Sequence, residues 1–133
     1  MNSFEPILTD NCRDSDMYHV NNAVMPTHDW QGLTIRDLTP PDAGWQASFI
    51  EIDVPAGAVH PLARSTKCET FYYCDSGELE FEINDQQFSV KAGDLVEIRA
   101  NEWYGYRAAS TPARLLSFNV PPFDASATEY RDS

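Results

Sequence analysis

The sequence predicts an all-β sandwich or barrel. Three observations carry that prediction. Nine short runs rich in aliphatic, β-branched and aromatic residues lie between Leu33 and Val120; Gly, Pro, Asn and Asp punctuate them; and no stretch shows a convincing helical period. Residues 1–32 are polar, rich in Asp and Asn, and read as an irregular arm whose order depends on what it packs against. The strand-rich body occupies 33–123. It opens with LTIRDL at Leu33, WQASFIEIDV from Trp45 to Val54, AVHPLAR from Ala58 to Arg64, and TFYYC from Thr70 to Cys74. Glu78 to Ile83 then alternates strictly, setting three acids on one face and Leu79, Phe81 and Ile83 on the other, a strand with one wet and one buried side. Asn84-Asp85 supplies turn chemistry into QFSV, which makes a hairpin. LVEI, WYGYR and RLLSFNV complete the body, and 124–133 is a short polar tail expected to be loosely held.

At 133 residues, 42% hydrophobic and 12% aromatic, the chain fits one domain with enough apolar material for a core. A formal charge of -12 argues against nucleic acid and anionic membrane surfaces, which would repel it, and leaves small molecules or further copies of the chain as partners. The cysteines, Cys12, Cys68 and Cys74, are odd in number and lack zinc or disulfide spacing, so a reduced, cytoplasmic compartment is expected. No run approaches the roughly 20 apolar residues of a spanning helix, so a soluble protein is expected.

Two segments narrow the fold: Gly57 to Gly77 (GAVHPLARSTKCETFYYCDSG) and Gly93 to Ala108 (GDLVEIRANEWYGYRA). Together they resemble the paired motifs of the cupin superfamily, in which the first reads Gly, five residues, His-x-His, three or four residues, Glu, six residues, Gly. The second reads Gly, five residues, Pro-x-Gly, two residues, His, three residues, Asn. The resemblance runs from about Trp45 to Pro122 and implies a single-domain jelly-roll barrel enclosing a ligand cavity. It also implies where metal ligands would stand, and those positions fall on Ala63, Ser65, Thr70 and Tyr104, with Arg99-Ala100-Asn101 in place of Pro-x-Gly. Ala63 offers no donor, two hydroxyls are weak ligands, and a phenol binds metal only when ionised. No metal cofactor is therefore expected. The alternative is a shifted register in which His60, Glu69 and Tyr104 hold a divalent Fe, Mn, Ni or Zn, as in a cupin oxygenase or lyase; strand parity opposes it, because His60, Leu62 and Arg64 should point away from the side of Ala63 and Ser65.

A metal-free cavity would be lined by Ala63, Ser65, Thr70, Tyr72, Cys74, Tyr104 and Tyr106, with Trp103 and Asn119 of uncertain facing. Tyrosines join an apolar ring to a polar tip, which suits a small oxygenated organic ligand. The fold-level resemblance to metal-independent cupin epimerases implies a His and Tyr pair that moves protons. Tyr104, His60 and Glu69 are accordingly the candidate catalytic residues. Arg64, Ser65, Thr70, Tyr72, Tyr106 and Trp103 are the candidate substrate contacts, Arg64 and Lys67 being placed to hold a carboxylate or phosphate at the rim. The reaction expected is of isomerase, epimerase, cyclase or dehydratase type, with a non-catalytic binding or sensing module as the other alternative. His19 and His28 lie in the arm, where solvated positions are the norm. Trp30, Trp45 and Phe49 offer apolar material for a homodimer contact.

Overall fold

A computed structural model describes residues 18–40 and 43–131. Within them the chain forms eleven strands and two short 3-10 turns, Asn22–Val24 and Ala125–Ala127. The strands are β1 (His28–Trp30), β2 (Leu33–Asp37), β3 (Ser48–Val54), β4 (Val59–Ser65), β5 (Glu69–Ser76), β6 (Glu78–Ile83), β7 (Gln86–Lys91), β8 (Leu95–Ile98), β9 (Tyr104–Ala108), β10 (Ala113–Val120) and β11 (Thr128–Arg131). They pair antiparallel in two sheets, ordered β1-β2-β3-β10-β5-β8 and β11-β4-β9-β6-β7, the face-to-face arrangement of a cupin jelly roll.

The nine sequence runs become β2 to β10 in order. Alternation in β6 buries Leu79 and Phe81 and turns Glu78 to solvent. The predicted hairpin closes with Ile83 opposite Gln86, and its two turn residues, Asn84 and Asp85, both take the left-handed φ (48° and 71°) that matches the strand twist. The two sheets extend further than the hydrophobic runs. His28–Trp30 of the polar arm pairs with β2, and Thr128–Arg131 of the polar tail pairs with β4, so that each caps one edge of a sheet. Segments of three and four residues are too short for alternation to be read.

Inward-facing side chains of the two sheets interdigitate into one core containing Leu33, Ile52, Val54, Leu79, Phe81 and Leu115. Gly77 lets the β5–β6 corner tuck against β10. A Cβ there would stand 2.4 Å from the Pro112 carbonyl oxygen and 2.7 Å from Ala113 Cα, and its φ of +82° suits glycine. On the opposite side of the larger sheet, Arg36 and Asn22 both bond the Glu51 carboxylate, fastening the segment before β1 onto β3. Cys68 and Cys74 are buried free thiols; Cys12 lies outside the described residues.

Candidate functional site

The core is not filled at one end of the barrel. A cavity of about 310 Å³ lies between the sheets there, within the size range of small-ligand pockets. One wall is aliphatic, made by Leu33, Ile35, Ile50 and Ile52 of β2 and β3. His60, Tyr104 and Tyr106 line it from the facing sheet, and Trp30 and Tyr72 add aromatic rings from the same sheet as the aliphatic wall. His28, Asp37, Ser117, Asn119, Phe123, Ala125, Thr128 and Tyr130 complete the lining.

The placement of His60 turns on a local fault in strand pairing. In the β4–β9 ladder His60 stands opposite Tyr106 and Ala63 opposite Tyr104, so β4 spends one residue more than β9 between the two pairs. This bulge falls on Pro61-Leu62, where Pro61 has no N–H to give the ladder. The extra residue reverses parity, and His60 and Ala63 face the same interior. The parity expectation is thereby corrected: His60 is 9% exposed and lines the cavity. Gly105 sits opposite the bulge because a side chain would not fit; a Cβ there would be 2.9 Å from the His60 carbonyl oxygen and 3.3 Å from Leu62 Cδ2.

Burial and one hydrogen bond define the state of His60. Its Nδ1 lies 2.7 Å from the Pro61 carbonyl oxygen. A carbonyl only accepts, so Nδ1 carries the proton and Nε2 keeps its lone pair. Desolvation outweighs that bond and lowers the pKa to about 4, which leaves the ring neutral near pH 7. The imidazole packs between aromatic rings, with centroids 5.1 Å from Trp30, 5.2 Å from Tyr104 and 4.7 Å from Tyr106.

Three tyrosines form the floor. The Tyr72 and Tyr104 hydroxyls share a hydrogen bond of 3.2 Å that ties β5 of one sheet to β9 of the other. Burial raises the pKa of Tyr72, Tyr104 and Tyr106 well above the ordinary phenol value, so all three stay protonated. The Tyr106 hydroxyl is sealed from solvent and has no hydrogen-bond partner among the described residues. Beside them Thr70 donates to Asn119 Oδ1 at 2.8 Å, and Asn119 Nδ2 donates to Ser48 and Ser117, so Asn119 is held from both ends of its amide.

Of the sequence candidates, the structure brings together His60, Tyr72, Tyr104 and Tyr106, and sets Thr70 just behind Asn119. The others stand elsewhere. Glu69 is exposed at the start of β5, opposite Val120 on the outer face, because the β5–β10 register runs unbroken from Glu69 to Cys74 and the one irregularity in that pairing falls beyond Cys74, too far along to turn it inward. Arg64 donates to Glu129 at 2.8 Å and packs over Trp103, which also receives the Arg131 guanidinium at 4.5 Å from its centroid. Trp103 is thus part of an outer cation-π cluster rather than of the cavity lining. Ser65 Oγ accepts from the Lys67 and Cys68 amides and closes the β4–β5 turn, and Lys67 pairs with Asp124. Cys74 is core. Sequence reasoning missed Trp30, Asp37 and Tyr130 as lining residues; His28, expected in solvent, is exposed and stands at the edge of the lining. Trp30, His28 and Tyr130 sit on the two short edge strands that show no readable alternation.

The donor set does not suit the divalent metal common in this fold. The cavity presents His60 and neutral phenols, with Asp37 and His28 on the strands at one side. Among the described residues no group of three or more His, Cys, Asp or Glu gathers in metal-binding geometry. The shifted set His60, Glu69 and Tyr104 is not assembled, since Glu69 points out.

A jelly roll of two antiparallel sheets around a cavity of this kind defines a cupin barrel, and the Cupin domain family profile matches residues 50–119, so the chain belongs to that family. It is 28% identical over 101 residues to the uncharacterized protein MJ1618 of Methanocaldococcus jannaschii, covering 74% of this chain and 81% of that one. Similar solved structures include PAC13 of Streptomyces, described as a unique nucleoside dehydratase (16% identical, TM-score 0.76, covering 88% of this chain and 92% of that one). KdgF from Halomonas sp. follows at 14% identity and a TM-score of 0.74, over 84% and 99% of the two chains. Ectoine synthase from P. lautus shows 19% identity and a TM-score of 0.72, over 86% and 90%.

Proposed function

We propose that the chain is a metal-independent cupin enzyme that binds a small organic molecule between its two sheets and moves a proton within it. The observation that carries this reading is a buried, neutral His60 whose Nε2 lone pair is left free by the Nδ1–Pro61 bond, stacked on the Tyr104 ring. His60 is the base; the Tyr72–Tyr104 pair, kept protonated by burial, is the hydrogen-bond donor to oxygen and the route by which a proton is returned. Isomerisation, epimerisation, cyclisation and dehydration all need this division of labour. Dehydration is the form we favour, since PAC13, of similar fold, is a nucleoside dehydratase solved with uridine in His→Gln and Tyr→Phe variants.

The test is to incubate the protein in D2O with a panel of small hydroxy-carbonyl compounds and nucleosides, following deuterium uptake and water loss by proton NMR. Turnover by the native chain that falls at least ~100-fold in His60→Gln supports the reading. Turnover that survives in His60→Gln, or that requires added divalent metal, sinks it.

The same reading includes a cytoplasmic homodimer. Its support is the outer face of the larger sheet, where Phe49, Phe118 and Phe71 stand in one register row and Leu116, Tyr73 and Leu95 in the next. Phe118, Tyr73 and Leu95 are exposed, an apolar patch fit for a two-fold contact. Trp30, expected at that contact, faces the cavity instead. A monomeric mass by light scattering at micromolar concentration would exclude the dimer.

A further inference from the structure

The cavity has a charge character that the fold alone does not dictate. Among the described residues its lining contains no Lys or Arg. The basic side chains of the neighbouring strands lie elsewhere: Arg36 pairs with Glu51, Arg64 with Glu129, Arg114 with Asp53 and Lys67 with Asp124, Arg131 lies over the Trp103 ring, and Arg107 of β9 is exposed, opposite Glu80 of β6. The titratable groups that do face the space are His28, Asp37, His60 and four tyrosines. Asp37 is an acid, and the tyrosines offer neutral hydroxyls. Around them the chain carries a formal charge of -12.

A carboxylate or phosphate entering this space would lose its hydration and meet no Lys or Arg among the described residues, with Asp37 exposed at the edge of the lining. A neutral ring would lose little water and gain contact with Trp30, Ile35, Ile50 and Ile52 of the larger sheet on one side and with His60 and Tyr104 of the smaller sheet on the other. Hydroxyl and carbonyl groups on such a ring would find Ser117 and the Tyr72–Tyr104 pair in the lining. We infer that the cavity selects uncharged ligands, taking a cyclic molecule that bears hydroxyl or carbonyl groups and rejecting its carboxylated or phosphorylated counterpart. This rests on the cavity being the ligand site and makes the rim role expected for Arg64 and Lys67 unnecessary.

Isoleucine methyl groups report the cavity directly, so no variant is needed to locate binding. The full chain carrying 13C-labelled Ile methyls is titrated with a fragment library balanced between neutral compounds and carboxylates or phosphate esters, including uridine and uridine 5′-monophosphate. Hits are those that shift Ile35, Ile50 and Ile52. Neutral fragments should supply the hits, and the charged member of a matched pair should bind about 100-fold more weakly. Equal or tighter binding of the anionic members, or no fragment shifting these methyls at millimolar concentration, overturns the inference. A neutral ligand that binds without turnover sinks the catalytic reading and leaves this one standing; turnover of an anionic substrate lost in His60→Gln does the reverse.

Discussion

Acidification from pH 7 to pH 5 should destabilise this protein through His60. In the unfolded chain its imidazole titrates at the ordinary value of 6.5, whereas burial between Trp30, Tyr104 and Tyr106 lowers the folded value to about 4. The folded state therefore resists a proton that the unfolded state accepts, and stability falls as pH drops through 6.5 until the folded ring also protonates near pH 4. A depression of that size corresponds to about 3 kcal/mol in total, of which about 2 kcal/mol is lost between pH 7 and pH 5. Most exposed carboxylates are still ionised at pH 5, so the window isolates the histidine. The assay is urea denaturation at pH 7, 6 and 5 on the native chain, His60→Gln and His60→Phe, reading the difference in unfolding free energy. The native chain should lose about 2 kcal/mol more than either variant over that range. A difference flat to within about 0.5 kcal/mol would show that His60 is solvated or paired with an acid, and the bulge-driven burial would be wrong.

Further outcomes follow from the same geometry. Gly105→Ala places a methyl 2.9 Å from the His60 carbonyl oxygen and should cost about 1–3 kcal/mol in chemical denaturation while displacing the His60 ring signals in NMR. Tyr104→Phe strands the Tyr72 hydroxyl that now shares its 3.2 Å bond and should destabilise by about 1–2 kcal/mol; Tyr106→Phe removes a hydroxyl without a partner and should be neutral or stabilising by thermal melt. Gly77→Ala, facing backbone at 2.4 Å and a φ of +82°, should prevent accumulation of folded protein. If His60 is the base, the acid limb of activity should fall near pH 4 rather than 6.5, checked by kcat/KM against pH.

The strands of the barrel were legible because their cause is local. Alternation in Glu78–Ile83 gives a half-buried strand whatever its neighbours, and Asn84-Asp85 tolerates the left-handed backbone that a two-residue hairpin needs. The loss of the usual metal donors was legible by counting from Gly57 and Gly93. Tyr72, Tyr104 and Tyr106 lie where parity puts them, Tyr72 on the stretch of β5 that keeps register and the other two on β9.

Parity on a broken strand cannot be counted. The side of the sheet on which His60 lies depends on the extra residue at Pro61-Leu62, and a bulge exists only in relation to a partner, here β9 with Gly105 at the point of approach. The same holds for Arg64 and Trp103, whose charge and ring are satisfied by Glu129 and Arg131 on an edge strand distant in sequence. The sequence by itself determined the fold family, the succession of the nine strands β2 to β10 and the stock of hydroxyls and rings. Only the packing of one sheet against the other decided that His60 joins them, that Glu69 does not, and that no Lys or Arg of the described residues enters the cavity. Periodicity is a property of one strand; a cavity is a property of two sheets meeting.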